Sequence, residues 1–439
     1  MRYRPDIISG SGGKDLTAHK NFLKFFIPAF CLTLFLLSMP SGRAYSQPYY
    51  HYPYSETGGI CHKAAKRNKA EICADGTDSA QTAFEKALSD CSEAASPAAA
   101  AALTEARTGK ILFEKNSDER LPMASTTKTM TALIVIENCS IDETVEIPPE
   151  AAGVEGSSMY LKKGERLSVK DLLYGLMLLS GNDAAVALAI HTAGSVPAFA
   201  ALMNARAESL GLTDTHFVTP NGLHDKAHYT TAKELCMIGA EAMKNDTFRK
   251  IVSTEYYVSE TGEKPRTMKN KNSLLRNYPG ACGIKTGYTS AAGRCLLFCA
   301  EKDGMLLIGA VLHCRPMFEV SQDMLDFGFE NFALHTVFAA GDKIAGCFVQ
   351  NGVKSILALT AKEDIIIPIR KGVKLSAETH VSLGKNTAAP VFKGEELASA
   401  ELFVDGESVL TFPLTAGESI PSRDFLFYLK LLLRFFGRK

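Results

Sequence analysis

Hydrophobic and polar positions alternate with different periods along this chain, and the changes in period mark its elements. The run LPMASTTKTMTALIVIEN, residues 121–138, opens on three hydroxyl residues, Ser125, Thr126 and Thr127. It then carries Met130, Leu133, Ile134, Val135 and Ile136, so that apolar residues fall on every side. That pattern predicts a buried helix. Upstream, AAAAALTEARTGKILFEKN predicts two strands around a turn at Arg107, Thr108 and Gly109. Downstream, LSVKDLLYGLMLLSGNDAAVALAIHTAG holds two helical runs interrupted by Ser180-Gly181-Asn182, with Ser168 and Asp171 spaced as a helix cap. Thr231 and Glu234 cap another helix, TTAKELCMIGAEAM. From Gly283 to Thr289 and onward the pattern is that of successive strands, with a turn at Lys302-Asp303-Gly304. Residues 96–338 therefore predict helices mixed with an antiparallel sheet.

Beyond residue 339 the texture becomes short β-like runs with glycine turns, which predicts a small all-β sandwich over 339–421. Residues 422–439 stand apart. Phe425, Leu426, Leu429, Leu432, Leu433 and Phe436 are densely apolar, and Lys430, Arg434, Arg438 and Lys439 are basic. This segment is too short and too charged to span a bilayer, and it suits a membrane interface with anionic lipid. At the other end, Lys14 and Lys20 precede FLKFFIPAFCLTLFLLSMP and a small-residue stretch near Ala44 and Ser46. We read 1–46 as a signal peptide, hence an exported protein at the extracytoplasmic face of a membrane. Residues 47–95 have weak periodicity and read as a linker or poorly ordered arm.

Composition adds limits. The chain has 439 residues, room for about two or three domains. Its 48 basic residues equal its 48 acidic ones, which argues against a nucleic-acid partner. Eleven cysteines show no paired metal-ligand spacing, so no metal site is expected. Cys295 and Cys299 would share one strand face and cannot readily bridge each other.

One residue does not fit a core helix. Lys128 sits in the first turn, where a buried charge is costly unless paired. It stands three positions after Ser125, so an amine and a hydroxyl share a face. A serine is a poor nucleophile and needs a neighbouring base. A lysine shielded from water can have its pKa lowered enough to act as one. Ser-x-x-Lys alone is a weak signal, and it recurs at Ser11/Lys14 and Ser382/Lys385. Its company makes it specific: Ser180-Gly181-Asn182 in a loop, then Lys285-Thr286-Gly287 on a strand.

This trio resembles the signature of penicillin-binding proteins and class A β-lactamases. More narrowly, TGKILFEKNSDERLPMASTTKTMTAL, LLYGLMLLSGNDAAVALA, TPNGL and GIKTGYTSAAGR are similar to the low-molecular-mass penicillin-binding proteins that are serine D-alanyl-D-alanine carboxypeptidases. The resemblance implies an α+β fold: a β-lactamase/DD-peptidase-like domain, then a small all-β sandwich and a C-terminal amphipathic helix. It implies a peptidoglycan stem peptide ending in D-Ala-D-Ala as substrate, β-lactams as inhibitors, and no cofactor. By the same resemblance Ser125 attacks the substrate and Lys128 is its base. Ser180 relays protons, and Asn182 positions Lys128 and substrate. Lys285 and Thr286 bind the terminal carboxylate, and Gly287 allows close approach. The backbone N–H groups of Ser125 and Tyr288 form the oxyanion hole. Known members carry His where this chain has Tyr288, and an Arg where the register gives Met317, with Arg315 two positions earlier and Lys271 as a substitute. A β-lactamase, an endopeptidase cutting D-alanyl cross-links, and a non-catalytic wall-binding protein are the alternatives.

Overall fold

The computed structural model describes residues 68–72, 78–373, 375–384 and 387–436. The expected signal peptide, Cys61, Cys73 and the basic residues Arg438 and Lys439 lie outside them. A five-stranded antiparallel sheet forms the centre. Its order is Ile111–Lys115, Ala98–Glu105, Met305–Cys314, Gly293–Lys302 and Ala281–Thr289. Both faces are covered. In the Gly293–Lys302 strand, Cys295, Leu297 and Cys299 point into one core, while Leu296, Phe298 and Ala300 point into the other. This two-residue alternation, apolar on both sides, is what a sheet between two helical layers requires.

The first core holds the helices Lys128–Asn138, Asn182–Ala193, Ala232–Ala242 and Asp246–Ser253. The second holds Met317–Asn331. It also holds a helix that the sequence pattern does not announce. Asp78–Ala94, expected within a linker, is helical and packs there. Phe84, Ala87 and Cys91 make a stripe one residue wide, too thin to stand out as a periodic signal among polar neighbours. Phe84 sits 6.0 Å from Phe332, edge to face, and the Arg370 guanidinium lies 4.4 Å from its ring.

The all-β part begins at Phe332 rather than 339. Strand Phe332–Phe338 pairs antiparallel with Ile365–Arg370, inside the β domain. Its apolar run follows the Met317–Asn331 helix without a turn signal, which hides the boundary in the sequence. A seven-stranded sheet faces this pair across a core of Leu357, Leu359, Ile367, Leu402 and Leu414. Its outer strand is Asn68–Ile72, paired antiparallel with Leu375–Leu383. The last element, Phe425–Phe436, buries none of its residues. Among the described residues no single helix is long and apolar enough to cross a membrane.

Expected turns and caps are present, with one difference. Gly109 takes φ 71° in the first hairpin, and Asp303 and Gly304 take φ 51° and 76° in the later one. Positive φ at both of these central residues is the hairpin-turn geometry. Thr231 accepts from the Glu234 N–H at 3.1 Å. Ser168 likewise accepts from Asp171 N–H at 3.1 Å. The Asp171 carboxylate, however, does not return to Ser168. It accepts from the Tyr257 hydroxyl and the Thr261 N–H, both at 2.8 Å, and so pins the 257–261 segment to the helix. The eight described cysteines are thiols. Cys299 lies 2.7 Å from Cys282 on the adjacent strand, not near Cys295.

Candidate active site

Ser125 lies in the tight turn Ala124–Thr127, which leads directly into the Lys128–Asn138 helix. Ala124 has φ 49°, and this lifts the serine out of the helix line. Lys128 is completely buried. Its Nζ makes three contacts: Ser125 Oγ at 3.0 Å, Asn182 Oδ1 at 2.7 Å and the Asn221 carbonyl at 2.5 Å. The Asn182 amide is oriented by its other end, where Nδ2 donates to the Glu155 carbonyl at 2.6 Å. Two of the three partners of Lys128 are therefore pure acceptors. A neutral amine has two N–H bonds and one lone pair. Once those N–H bonds go to Asn182 and Asn221, the lone pair faces Ser125, the one partner able to donate a proton.

Electrostatics favour that neutral form. Burial lowers the Lys128 pKa well below its ordinary value, and the positive charges of Lys285 and Lys271 lower it further. Asp183 opposes them. Its buried carboxylate accepts backbone N–H groups from Met159 at 2.9 Å and Leu161 at 3.1 Å. Lys285 is also buried, and burial together with Lys271 brings its pKa down to about 7. Its Nζ donates to the Thr286 carbonyl at 2.9 Å.

Lys285, Thr286, Gly287 and Tyr288 lie on Ala281–Thr289, an edge strand of the sheet. A Cβ on Gly287 would come within 3.1 Å of the Ser125 backbone nitrogen, tight enough that the turn would have to give by a few tenths of an ångström. Tyr288 is exposed, with the Arg294 guanidinium 5.9 Å from its ring. Ser180 ends the π-turn Gly175–Leu179 in a left-handed conformation, φ 64°. It is buried, yet no hydrogen bond among the described residues joins its hydroxyl to Ser125 or Lys128. Lys271 is not simply solvated: its Nζ donates to Ser157 Oγ at 3.0 Å, and burial lowers its pKa. Met317 belongs to the core. Arg315 lines a shallow cavity with Tyr288, Arg294 and His313, beside the end of the edge strand.

Two contributors lie in TPNGL, a piece of the resemblance that carries no assigned role. Asn221 offers its backbone carbonyl to Lys128. Gly222, at φ 80°, packs so tightly that a Cβ would stand 2.0 Å from the Ala124 carbonyl oxygen. The Asn-Gly pair was the available signal, since it favours positive φ. His228 also supports the turn. Its Nδ1 accepts from the Val218 N–H at 3.0 Å, so in the neutral ring Nε2 carries the proton and donates to Thr127 Oγ1 at 2.8 Å. Thr127 in turn donates to the Ala124 carbonyl at 2.7 Å. Burial holds the His228 pKa down at about 4, which keeps this neutral chain intact. The donors around Ser125 are hydroxyls, amides and amines, and none of them belongs to a metal-binding group among the described residues.

Residues 87–315 match the family described as D-alanyl-D-alanine carboxypeptidase. The chain belongs to the D-alanyl-D-alanine carboxypeptidase family. Residues 332–422 match the C-terminal domain of penicillin-binding protein 5, in agreement with the strand boundary at Phe332. Among relatives, D-alanyl-D-alanine carboxypeptidase DacF of Bacillus subtilis is 36% identical over 77% of this chain and 90% of its own length. The carboxypeptidase DacC of Escherichia coli is 34% identical over 72% and 83%. Penicillin-binding protein 5 of Haemophilus influenzae has the same fold, with a TM-score of 0.63 and 31% identity, covering 74% of this chain and 98% of that one.

Proposed function

We propose that this carboxypeptidase-family chain removes the terminal D-alanine from peptidoglycan stem pentapeptides through an acyl-enzyme on Ser125. The observation that carries the reading is the Lys128 amine, fully buried and 3.0 Å from Ser125 Oγ, with its other two partners unable to donate. Ser125 Oγ bonds to the penultimate D-alanine carbonyl and its proton passes to Lys128 Nζ. The N–H groups of Ser125 and Tyr288 hold the oxyanion. The C–N bond to the last D-alanine breaks, and its nitrogen takes the proton from Lys128 by way of the Ser180 hydroxyl. Water then adds to the ester and the Ser125 C–O bond breaks, restoring the hydroxyl. Lys285 and Thr286 hold the terminal carboxylate, whose charge returns Lys285 to its ammonium form. The substrate lies along the free side of the edge strand. The experiment for this reading is D-alanine release and penicillin turnover measured side by side on one preparation.

The β-lactamase alternative needs a glutamate to activate water for fast deacylation. The six glutamates between Ser180 and Lys285 are engaged elsewhere or solvated. Glu255 lies 4.0 Å from Arg276, Glu260 pairs with Lys170 at 2.8 Å, and Glu263 is exposed. Glu234 accepts from Asp214 N–H at 2.9 Å, Glu241 pairs with Arg206 at 2.7 Å, and Glu208 is exposed. The penicilloyl ester is therefore long-lived in this account.

The Phe425–Phe436 helix, none of whose residues is buried, supports a place on the outer surface of the cell membrane. Most of its large apolar side chains, among them Phe425, Leu431, Leu433, Phe435 and Phe436, are exposed. The full chain without its leader is expected to bind vesicles of anionic phospholipid, whereas a chain ending at Pro421 is not, and keeps its activity on a soluble peptide. Equal vesicle binding by both chains would refute the anchor.

A further inference from the structure

Three side chains of metal-binding type converge at the far end of the two helices that begin at Lys128 and Asn182. Cys139 ends the first helix. His191 lies in the last turn of the second, Asn182–Ala193. Glu143 stands on the loop that leaves Cys139. The thiol sulfur, an imidazole nitrogen and a carboxylate oxygen all lie within 4.8 Å of one another. His191 Nε2 is 3.1 Å from Glu143 Oε2. The other carboxylate oxygen accepts the Ser140 N–H at 2.7 Å, which turns Oε2 toward the ring. Thr192 Oγ1 lies 3.4 Å from Cys139 Sγ.

A His–Glu ion pair would explain two of these groups and packing against the first core explains the Cys139 side chain, but neither accounts for the sulfur lying within 4.8 Å of both other ligand atoms. Six of the eight described cysteines are buried in cores, whereas Cys139 is partly exposed. We propose that Cys139, Glu143 and His191 bind one zinc ion, with water as fourth ligand. The ligand set is mixed sulfur, nitrogen and oxygen, which suits borderline-soft zinc; a hard cation would not choose a thiolate. Tetrahedral zinc, with bonds of about 2.0–2.3 Å, separates its ligands by roughly 3.3–3.8 Å, so the cluster needs only a small closure. On binding, the S–H bond of Cys139 gives its proton to solvent and a zinc–sulfur bond forms. Imidazole and carboxylate exchange their mutual contact for bonds to the metal. The Thr192 hydroxyl, which donates to the Leu188 carbonyl at 2.8 Å, would have to turn from that carbonyl to donate to the thiolate.

The consequence is mechanical. The two helices pack against each other. Near one end Lys128 Nζ donates to Asn182 Oδ1 at 2.7 Å. Zinc would join them near the other end, so the pair would be fastened at both. Metal that binds the folded state alone adds to its stability. No step of the proposed catalysis depends on it.

The test uses the full chain stripped of metal by a chelator. Titration with Co²⁺ is expected to give one equivalent bound, with a thiolate-to-cobalt charge-transfer band that Zn²⁺ abolishes on displacing the cobalt. Zn²⁺ is expected to raise the unfolding temperature and to protect Cys139, identified by peptide mapping, from alkylation. Cys139→Ser and His191→Ala each lose the band while still reacting with penicillin. No thiolate band in the unaltered chain, or the same band in Cys139→Ser, would overturn the site. Alkylation of Cys139 at the same rate with and without Zn²⁺ would do so even if the variants failed to fold.

Discussion

Lys128→Arg is expected to slow acylation of Ser125 by penicillin by about 10³–10⁴-fold, toward the upper end of what a general base contributes. Arginine keeps donors for Asn182 and Asn221 but is always positively charged. It cannot lose its proton in a protein, so it offers Ser125 no lone pair. The substitution thus separates the base from the cation. Acylation within tenfold of the unaltered rate would show that charge alone is what Ser125 needs. The pH profile gives a second reading of the same idea. Lys128 must be deprotonated to act, so the rate rises with pH through its pKa. Lys271 helps to hold that pKa down. Lys271→Gln removes a positive charge, raises the Lys128 pKa, and is expected to move the acid limb of the profile to higher pH.

Gly222→Ala should also slow acylation, although residue 222 offers no chemical group. At φ 80° an L-residue is disfavoured, and its Cβ would stand 2.0 Å from the Ala124 carbonyl oxygen and 2.8 Å from Thr127 Oγ1. Backbone must therefore move, and the backbone in question carries Ser125. The left-handed conformation costs about 1–2 kcal/mol by itself. A displacement of the serine by roughly 1 Å costs about 100-fold in rate. Gly211→Ala is the control: Gly211 has φ 74°, and a methyl group there would have nothing within 4 Å, so it meets the conformational cost alone. Unfolding temperature and acylation rate, measured for both variants, separate the two effects. If Gly222→Ala and Gly211→Ala lose the same stability and both acylate normally, the turn is not held in the way described.

Sequence and structure agree where side-chain identity carries the information. Ser125 and Lys128 are legible because a three-residue spacing joins them through local geometry whatever the rest of the fold does. Lys285-Thr286-Gly287 is legible because the chemistry needs a cation next to a residue without a Cβ. Asn221 is legible only as part of TPNGL and not in its role, since it acts through a carbonyl that every residue possesses. The His228–Thr127 contact spans a hundred positions, and no local pattern encodes it. Ser180 is legible by type, but its left-handed backbone and the direction of its hydroxyl come from the π-turn before it. The Asp78–Ala94 helix is hidden because Phe84, Ala87 and Cys91 alone face the core. Cys139, Glu143 and His191 escape a search for paired cysteines because two packed helices and a loop assemble them.

The most direct measurement of the central claim takes one preparation and two substrates. With a stem pentapeptide ending in D-Ala-D-Ala, the protein is expected to release one free D-alanine per peptide over many turnovers. With penicillin, about one equivalent is consumed per chain, and peptide mapping places the adduct on Ser125. Both follow from the same ester. D-alanine diffuses away and leaves the site open to water, whereas the penicilloyl fragment stays and blocks it. Rapid multiple-turnover hydrolysis of penicillin without D-alanine release, or an adduct on any residue other than Ser125, would contradict the account.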